Sequence, residues 1–337
     1  MNRSHKRNPQ KNTPDPNMFW DFHNNNQEGI HQLMQLFSDR GTPASLRNIN
    51  AYSGSTYKFI KADGSFKYVK IHLKSDQGIK NFNVEEATKV AGENPDHHVA
   101  DLFEAIERKE YPTWTAYVQV MDPKEAETYR WNIFDMTKVW PKSDYPLRPF
   151  GKLTLNKNPH NYFTDIEQAA FSPSTMVPGI GPSADPMLQA RMFSYPDAAR
   201  YRLGVNYQQL PTNAPKSPVY NPFERDGFSN HTGNYGADPN YVQSSFRPVS
   251  YKPAPTAHDT WVGKVVAFAS EVTDDDFVQA RGLWKVLGNQ PGQQANFVTN
   301  VSGLLGGALP RVQAETIQMF SKVDADLGRK IEQAVKK

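Results

Sequence analysis

The sequence predicts an α+β protein whose parts follow one another along the chain: antiparallel strands, a long arm that wraps over a neighbouring surface, and a helical C-terminal domain. Alternating apolar and polar residues favour strands at 56–60, 66–74 and 114–120. Most of the 26 prolines lie between 140 and 255, where regular periodicity is scarce. Helical spacing of apolar residues returns from 277 to 331.

The composition narrows the classes of protein to consider. The chain has 337 residues, which suits one large domain or two ordinary ones. Its 38 basic and 35 acidic residues leave a net charge of +3, and this near balance argues against a binder of nucleic acid or membrane surfaces. The absence of cysteine excludes disulfides, thiol nucleophiles and a thiolate-bound haem. No apolar run is long enough to span a bilayer, so no membrane partner is expected.

A hairpin is predicted in the strand-rich part. Asp63-Gly64 is a strong turn signal between the first two predicted strands. Along the second strand, Lys70, His72 and Lys74 are predicted to face water, and their apolar neighbours to face the core. The strand pattern therefore predicts a sheet with one polar face.

Helices are predicted on either side of the arm and at one point within it. They are expected at 28–37, after the capping box of Asn83 and Glu86, and at 99–108. In the last part, three aspartates at 274–276 favour a helix start, because the helix dipole is positive there. Glycines and a proline divide the helical pattern that follows into several helices.

A helical patch is predicted within the arm near 185–202, and the segment that carries chemistry runs within it from Arg191 to Arg202. Arg191 precedes Tyr195 by four residues, so the two side chains share a helix face. A guanidinium beside a phenol favours the ionised phenolate, which is a hard anionic ligand suited to ferric iron. Arg202 lies about two turns further on and could meet a carboxylate in bidentate geometry. Pro196 is expected to kink or end the helix.

The residues alone leave two interpretations of this segment open. An iron site with an arginine-supported phenolate fits the spacing. An amphipathic surface helix with a half-buried tyrosine and solvated arginines fits it as well, and such helices are common. Spacing by itself favours the surface helix.

The same segment resembles the proximal haem-ligand motif of monofunctional haem catalases. That motif reads Arg, apolar, Phe, small, Tyr, any residue, Asp, small, then Gln, Glu or His. The residues from Arg191 to Ala198 agree with it, whereas Ala199 stands where the family usually has a polar residue. Tyrosine is the known haem ligand of catalases.

Further segments resemble catalase sequences in the expected order, and several matches in one order are more specific than one motif. These segments are Lys6-Arg-Asn-Pro9, Phe37-Ser-Asp-Arg-Gly41, Asp76-Gln-Gly-Ile-Lys-Asn81, Thr137-Lys-Val-Trp140 and Asn156-Lys-Asn-Pro159.

The resemblance implies a fold and a division into domains. It implies a partial antiparallel β-barrel, the second half of the family's eight-stranded barrel, with inserted helices in residues 1–139. Residues 140–256 would form the wrapping segment with the proximal haem helix, and residues 257–337 the helical C-terminal domain. The remaining strands would then leave an unpaired edge and an exposed apolar face, so the chain is expected to be prone to aggregation.

The resemblance also implies cofactors and residue roles. Tyr195 would ligate the haem iron and Arg191 would hold it as phenolate. Arg202 would pair with a haem propionate, and Met187 and Phe171 would line the proximal haem face. NADPH is the second cofactor implied, because seven residues match positions that bind it in some catalases: His31, Ser38, Arg40, Asn50, Tyr52, Lys74 and Trp140. Two departures weigh against NADPH, since Lys142 and Ser143 differ from the family's usual residues and Ser55 replaces a common histidine.

The implied reaction is dismutation of hydrogen peroxide to water and oxygen by a homotetramer. It also needs a distal His and Asn, which in the family lie upstream of the Lys6–Pro9 segment. No histidine of this sequence has a matching context, so no catalytic base is assigned and the chain is interpreted as N-terminally truncated. An inactive fragment that binds haem weakly or joins full-length subunits, and a peroxidase-type relative, are the alternatives.

The sequences of the two termini indicate in which cellular compartment the protein is expected. The N-terminus is polar and basic, with no secretion signal, and the C-terminal residues are not the usual peroxisomal tripeptide. A cytoplasmic or peroxisomal location is expected.

Overall fold

The computed structural model describes residues 7–217, 219–241, 244–246 and 271–336. The boundary expected between the wrapping segment and the helical domain, at residues 256 and 257, lies outside these ranges, as does Lys6. Ten α-helices occur among the described residues: α1 (Pro16–Asn25), α2 (Ile30–Phe37), α3 (Val84–Glu93), α4 (His97–Glu107), α5 (Pro123–Ala126), α6 (Pro186–Leu203), α7 (Asp275–Gly288), α8 (Gln293–Leu305), α9 (Pro310–Val323) and α10 (Ala325–Val335).

The sheet is open and antiparallel, with the order β5-β4-β3-β2-β6 and β1 paired to β3. Its strands are β1 (Ala51–Tyr52), β2 (Tyr57–Ile60), β3 (Phe66–Ser75), β4 (Thr113–Met121), β5 (Arg148–Thr154) and β6 (Ile180–Pro182). The predicted hairpin between β2 and β3 is present, and Gly64 at its turn has a φ of +83°, which glycine adopts at no steric cost.

The sheet has no wet polar face along the middle of β3, contrary to the sequence-based expectation. Lys70 is only 7% exposed, and its ammonium lies 5.3 Å from the centre of the Trp140 ring. His72 Nε2 lies 2.8 Å from Gln119 Oε1, and the amide of Gln119 in turn donates to the carbonyl of Trp140 at 3.0 Å. The expectation was wrong because the loop that contains Trp140 covers this face of the sheet.

A helical unit is formed by α1, α2 and α7 to α10. Its core contains aromatic residues from distant parts of the sequence, and Trp20, Phe297 and Phe320 are each 0% exposed. Trp20 stacks on Phe37, and their ring centroids are 5.1 Å apart. The predicted C-terminal helices are confirmed. The first two helices add to their core, although residues 1–139 were assigned to the sheet domain, and the three-domain division stays a prediction.

The arm, defined here by the described residues of 148–246, contains more regular structure than its sequence indicates. The helical patch predicted at 185–202 is confirmed as α6, which Asp185 caps. Pro196 does not end this helix, which continues to Leu203. β5 was not predicted, since all seven of its residues are exposed and leave no burial pattern to detect.

Polar contacts join the helical unit to the sheet region. Lys138 Nζ lies 2.6 Å from Asp276 Oδ1 at the start of α7 and 3.3 Å from Asp135 Oδ2. Beside it, the side-chain amide of Gln279 both accepts from Val139 N at 3.1 Å and donates to Val139 O at 3.0 Å. The loop before the arm therefore fixes α7 against the sheet. Within the described ranges, no helix is both long and apolar enough to cross a membrane.

Candidate functional site

The position of α6 is set by one buried carboxylate. Asp185 Oδ1 accepts hydrogen bonds from Met187 N at 2.9 Å and Leu188 N at 3.1 Å, which caps the helix. Its other oxygen accepts from Thr56 N at 3.2 Å, at the start of β2. Because Asp185 is 1% exposed, these contacts hold the start of α6 firmly against β2.

Arg191 and Tyr195 meet on α6 as their four-residue spacing predicts. The Nη2 group of Arg191 donates to Tyr195 Oη at 3.5 Å, and the guanidinium carbon lies 5.2 Å from the phenol ring centre. The other arm of the guanidinium, Nη1, donates to Ser55 Oγ at 3.3 Å. Ser55 is fully buried, so it fixes the direction of Arg191 from the sheet side.

A cavity of about 430 Å³ opens beside this pair. Its lining consists of Tyr52, Ser53, Tyr57, Ala170, Phe171, Ser172, Pro173, Thr175, Arg191 and Tyr195. Tyr57 is a residue of this site that sequence reasoning missed, although strand alternation places it on one face of β2. Burial raises the pKa of the Tyr57 phenol, while the charge of Arg191 opposes that rise. Burial therefore favours the neutral form of the Tyr57 phenol.

The cavity fits the group that the sequence resemblance implies. Haem has flat apolar faces, and its iron needs a ligand atom. Phe171 lines the cavity and is 86% exposed, so it presents an uncovered apolar surface beside the Tyr195 oxygen. An exposed aromatic side chain next to a phenol and a guanidinium suits a planar ligand that contains a metal.

The other two residues expected at the haem are placed differently. Met187 is on the same helix but is not part of the described cavity lining. Both arms of Arg202 donate to backbone carbonyls, Nη1 to Glu167 O at 2.6 Å and Nη2 to Ala169 O at 2.8 Å. Arg202 thus holds the chain near Phe171, and its pairing with a propionate stays a prediction. Ala199, where the motif departs, is buried.

A second group of residues brings three cations together. Partial burial and then the charge of Arg40 lower the pKa of Lys74. The charge of Lys74 and then burial lower the pKa of Lys142. In the described part of the chain, none of the three forms an ion pair with a carboxylate. Neighbouring cations without a carboxylate partner produce a positive local potential, which favours an anion.

The other residues that the resemblance assigns to NADPH binding differ in their contacts with this cluster. Tyr52 lies 5.8 Å from Lys74 Nζ and accepts from Asn50 Nδ2 at 3.3 Å. Ser38 directly follows α2, is buried, and donates to Gln35 O at 2.8 Å. Trp140 is 4% exposed, and its indole N–H is buried without a hydrogen-bond partner.

Two histidine positions have other neighbours. His31, on α2, has its pKa lowered by burial and by the charge of Lys138. His97 and His98 contact the carbonyls of Ala44 and Pro43 through their Nε2 atoms, at 2.9 and 2.8 Å. Among the described residues, no histidine lines the cavity beside Tyr195.

Comparison with known proteins shows to which family this chain belongs. The catalase family model matches residues 1–248, and the catalase-related immune-responsive model matches residues 270–335. The fold and site define an α+β protein of the catalase type, and the chain belongs to the catalase family.

Two curated relatives show how much of the family's length is present. A catalase of Schizosaccharomyces pombe is 54% identical over 334 residues, covering 98% of this chain and 65% of the relative. Peroxisomal catalase A of Saccharomyces cerevisiae is 49% identical, covering 97% of this chain and 65% of the relative. The chain therefore spans about two thirds of the length of these proteins.

Solved structures confirm the expected fold class. A fungal catalase crystal structure has a TM-score of 0.94 and 51% identity, covering 99% of this chain and 68% of the other. Catalase A from Saccharomyces cerevisiae has a TM-score of 0.94 and 48% identity, covering 99% of this chain and 70% of the other. The mixed helices, the antiparallel sheet and the helical C-terminal region belong to this shared fold.

Proposed function

We propose that this chain provides the haem-binding side of a catalase that dismutates hydrogen peroxide to water and oxygen. The observation that carries the proposal is the Arg191–Tyr195 pair at the wall of the cavity, with the two polar groups 3.5 Å apart. The names of its relatives support the reaction.

Each residue of the pair has a stated role. The haem, when bound, supplies the redox chemistry of peroxide dismutation. Tyr195 supplies the oxygen that holds the iron. Arg191 would stabilise an iron-bound phenolate through its positive charge and its contact with that oxygen. Ser55 accepts a hydrogen bond from the second arm of the guanidinium and fixes its direction, and Phe171 would offer its exposed ring to the apolar face of the haem.

A second function is favoured by the lining of the cavity. Peroxide cleavage needs a general base that moves a proton between the two peroxide oxygens. No histidine lines the cavity in the part of the chain that the structure describes. The second candidate is therefore an inactive catalase-like chain that binds haem weakly or associates with longer subunits, and oxygen evolution separates it from the first.

The ligand role of Tyr195 is tested by adding ferric haem to the full chain and recording its visible spectrum. Tyr195→Phe removes the oxygen that holds the iron, so the spectrum of the bound ferric haem should change to that of unligated or solvent-ligated haem. Tyr201→Phe on the same helix is the matched control, because Tyr201 is 82% exposed and outside the cavity. A Tyr195→Phe spectrum identical to wild type contradicts the assignment.

The same preparation decides between the two candidates. Oxygen release from hydrogen peroxide far above that of an equal concentration of free haem supports the active catalase. Release no faster than free haem supports the inactive chain, whichever spectrum is found.

NADPH is proposed as the second cofactor, held at the cations Arg40, Lys74 and Lys142. Phosphate groups are the anions that such a cluster takes, and arginine suits them because its fork is bidentate. Lys142 departs from the family's usual residue, but it supplies a charge of the same sign.

Assembly and location follow from the relatives. A homotetramer is proposed, in which subunit contacts cover the exposed aromatic side chains of the arm. Since several relatives are named peroxisomal catalases, the peroxisome or the cytoplasm is the proposed location.

A further inference from the structure

A bulge interrupts the pairing of β3 with the two strands that precede it. Tyr52 in β1 lies opposite His72, whereas Tyr57 in β2 lies opposite Val69. The four residues 53–56 therefore face only two residues of β3. Bulges bend a strand locally and redirect its side chains, and they are frequent beside functional sites.

The bulge of residues 53–56 is held by hydrogen bonds of its own. Ser53 Oγ accepts from Ile71 N at 3.2 Å and donates to Ser55 O at 3.0 Å. Gly54 has a φ of +67°, which glycine adopts at no steric cost. This backbone path places Ser55 Oγ where the Nη1 group of Arg191 donates to it at 3.3 Å. The bulge therefore decides where the guanidinium of Arg191 finds its acceptor on the sheet.

Thr56 ends the bulge, is fully buried and is bonded on three sides. Its Oγ1 atom donates to Ile133 O at 2.7 Å, in the loop before the arm. Its backbone N donates to Asp185 Oδ2 at 3.2 Å, and its carbonyl accepts from Ser183 Oγ. The contact with Ile133 is the one that belongs to the Thr56 side chain, so a substitution can remove it and leave the two backbone contacts in place.

Packing alone does not explain a hydroxyl at this position. Valine has nearly the shape of threonine and is at least as favourable in and beside strands, whereas a buried hydroxyl must find a partner. A valine would leave the buried carbonyl of Ile133 without this donor, which favours a shift of the loop or of the bulge. Because Ser55 is the neighbour of Thr56 in the bulge, such a shift would move the acceptor of Arg191.

We infer that Thr56 is a positioning residue for the iron ligand, because its hydroxyl fixes the bulge from which Ser55 holds Arg191 beside Tyr195. This inference rests on the haem binding proposed above and extends the site to a residue outside the cavity lining. Thr56 acts through the contact between Ser55 and Arg191, since the backbone contact that supports the cap of α6 does not depend on its side chain.

The test measures the Kd of the full chain for ferric haem and the visible spectrum of the bound haem. Thr56→Val removes the donor, so we expect about tenfold weaker binding and a spectrum in which solvent-ligated haem accompanies the wild-type species. Thr56→Ser keeps the hydroxyl, and its Kd should stay within about threefold of wild type, with the wild-type spectrum.

Thr316→Val is the matched control for Thr56→Val. Thr316 is also fully buried, and its hydroxyl donates to Val312 O at 2.9 Å, inside the helical unit. The control loses the same kind of hydrogen bond, so it should lose stability but keep the wild-type spectrum and a Kd within about twofold of wild type.

A purely structural role for Thr56 gives a different pattern. If Thr56→Val lowers stability as Thr316→Val does but keeps the wild-type spectrum and Kd, the inference is wrong. It is also wrong if Thr56→Ser behaves like Thr56→Val, because the hydroxyl then has no specific role. In a Ser55→Ala background, Thr56→Val should weaken binding by less than about threefold, and an undiminished loss there contradicts the route through Ser55.

A second variant covers the case in which Thr56→Val does not fold by circular dichroism. Ser183→Ala removes the hydroxyl that donates to Thr56 O and so loosens the same residue from another side. We expect about threefold weaker haem binding, with a smaller loss in the Ser55→Ala background. Unchanged binding and spectrum in Ser183→Ala then contradict the inference.

The wild-type chain separates this inference from the proposed function. If its haem spectrum is the same as that of Tyr195→Phe, the proposed function is contradicted, and this inference with it. If Tyr195 ligates the haem in wild type and Thr56→Val changes neither the Kd nor the spectrum, this inference alone is contradicted.

Discussion

The helical unit and the arm differ in where their aromatic side chains find partners. In the helical unit, Phe297 and Phe320 are 0% exposed and lie in T-shaped contact, with ring centroids 5.9 Å apart. In the arm, Phe171 and Phe228 are 86% and 88% exposed. The helical unit therefore completes its own core, whereas the arm leaves large aromatic side chains uncovered. This contrast predicts that substitutions of aromatic residues lower stability far more in the helical unit than in the arm.

The largest expected effect tests that contrast directly. Phe320→Ala leaves a cavity in the closed core and should lower the free energy of unfolding by about 3–5 kcal/mol. Phe228→Ala removes a side chain that touches mainly solvent, so its effect should stay within about 0.5 kcal/mol. Chemical denaturation of the two variants measures both values. Similar losses would mean that the arm contributes a core of its own.

A smaller effect concerns the sheet beside the arm. Burial lowers the pKa of Lys70 from its ordinary value of 10.5 to about 8, and the charges of Asp185 and Asp135 only partly oppose this. As pH rises through about 8, the folded chain releases this proton, whereas the unfolded chain keeps it until about 10.4. The unfolded state then binds more protons, so stability rises with pH in this window, by up to about 3 kcal/mol.

Lys70→Met isolates this contribution, because methionine fills similar space without a charge. The free energy of unfolding of the variant, measured by denaturation from pH 7 to pH 10, should lack the rise seen in wild type. Parallel pH profiles for the two proteins would show that Lys70 is solvated or paired in the folded chain.

The smallest effect lies at the contact between the helical unit and the loop that precedes the arm. Asp276→Asn removes the charge that faces buried Lys138, and we expect a loss of about 2 kcal/mol, less than for a lone buried pair because Asp135 remains as a partner. Asp275→Asn is the control, since that carboxylate is exposed. Thermal unfolding of both variants measures the difference in stability. Equal midpoints would show that this ion pair does not hold the helical unit to the loop before the arm.

Local signals in the sequence were sufficient for much of the secondary structure. The turn at Asp63-Gly64 and the capping box of Asn83 and Glu86 each act within a few residues, and the structure contains both. The Arg191–Tyr195 pair is of the same kind, because four residues on a helix bring two side chains onto one face. The helix α1 was missed, although Asp15 caps it and a proline follows at its first position.

Contacts between distant residues could not be predicted in this way. Strand alternation predicted that Lys70 faces water. Its side chain is buried instead, because the loop that contains Trp140 packs over it. Ser55 and Arg191 lie 136 residues apart, and no local pattern states that they meet. The side-chain amide of Asn296 donates to the carboxylate of Asp39 across a separation of 257 residues, and no local pattern indicates this contact either.

By itself, the sequence determined the turns, caps and helix faces, and through its motif the family of the protein. Tertiary structure alone decided which of those faces are covered, which side chain holds Arg191 in place, and which amides hold the carboxylate of Asp39. The physical reason is one of range: hydrogen bonds within a turn depend on neighbours along the chain, whereas burial and charge depend on every surface that packs against a residue.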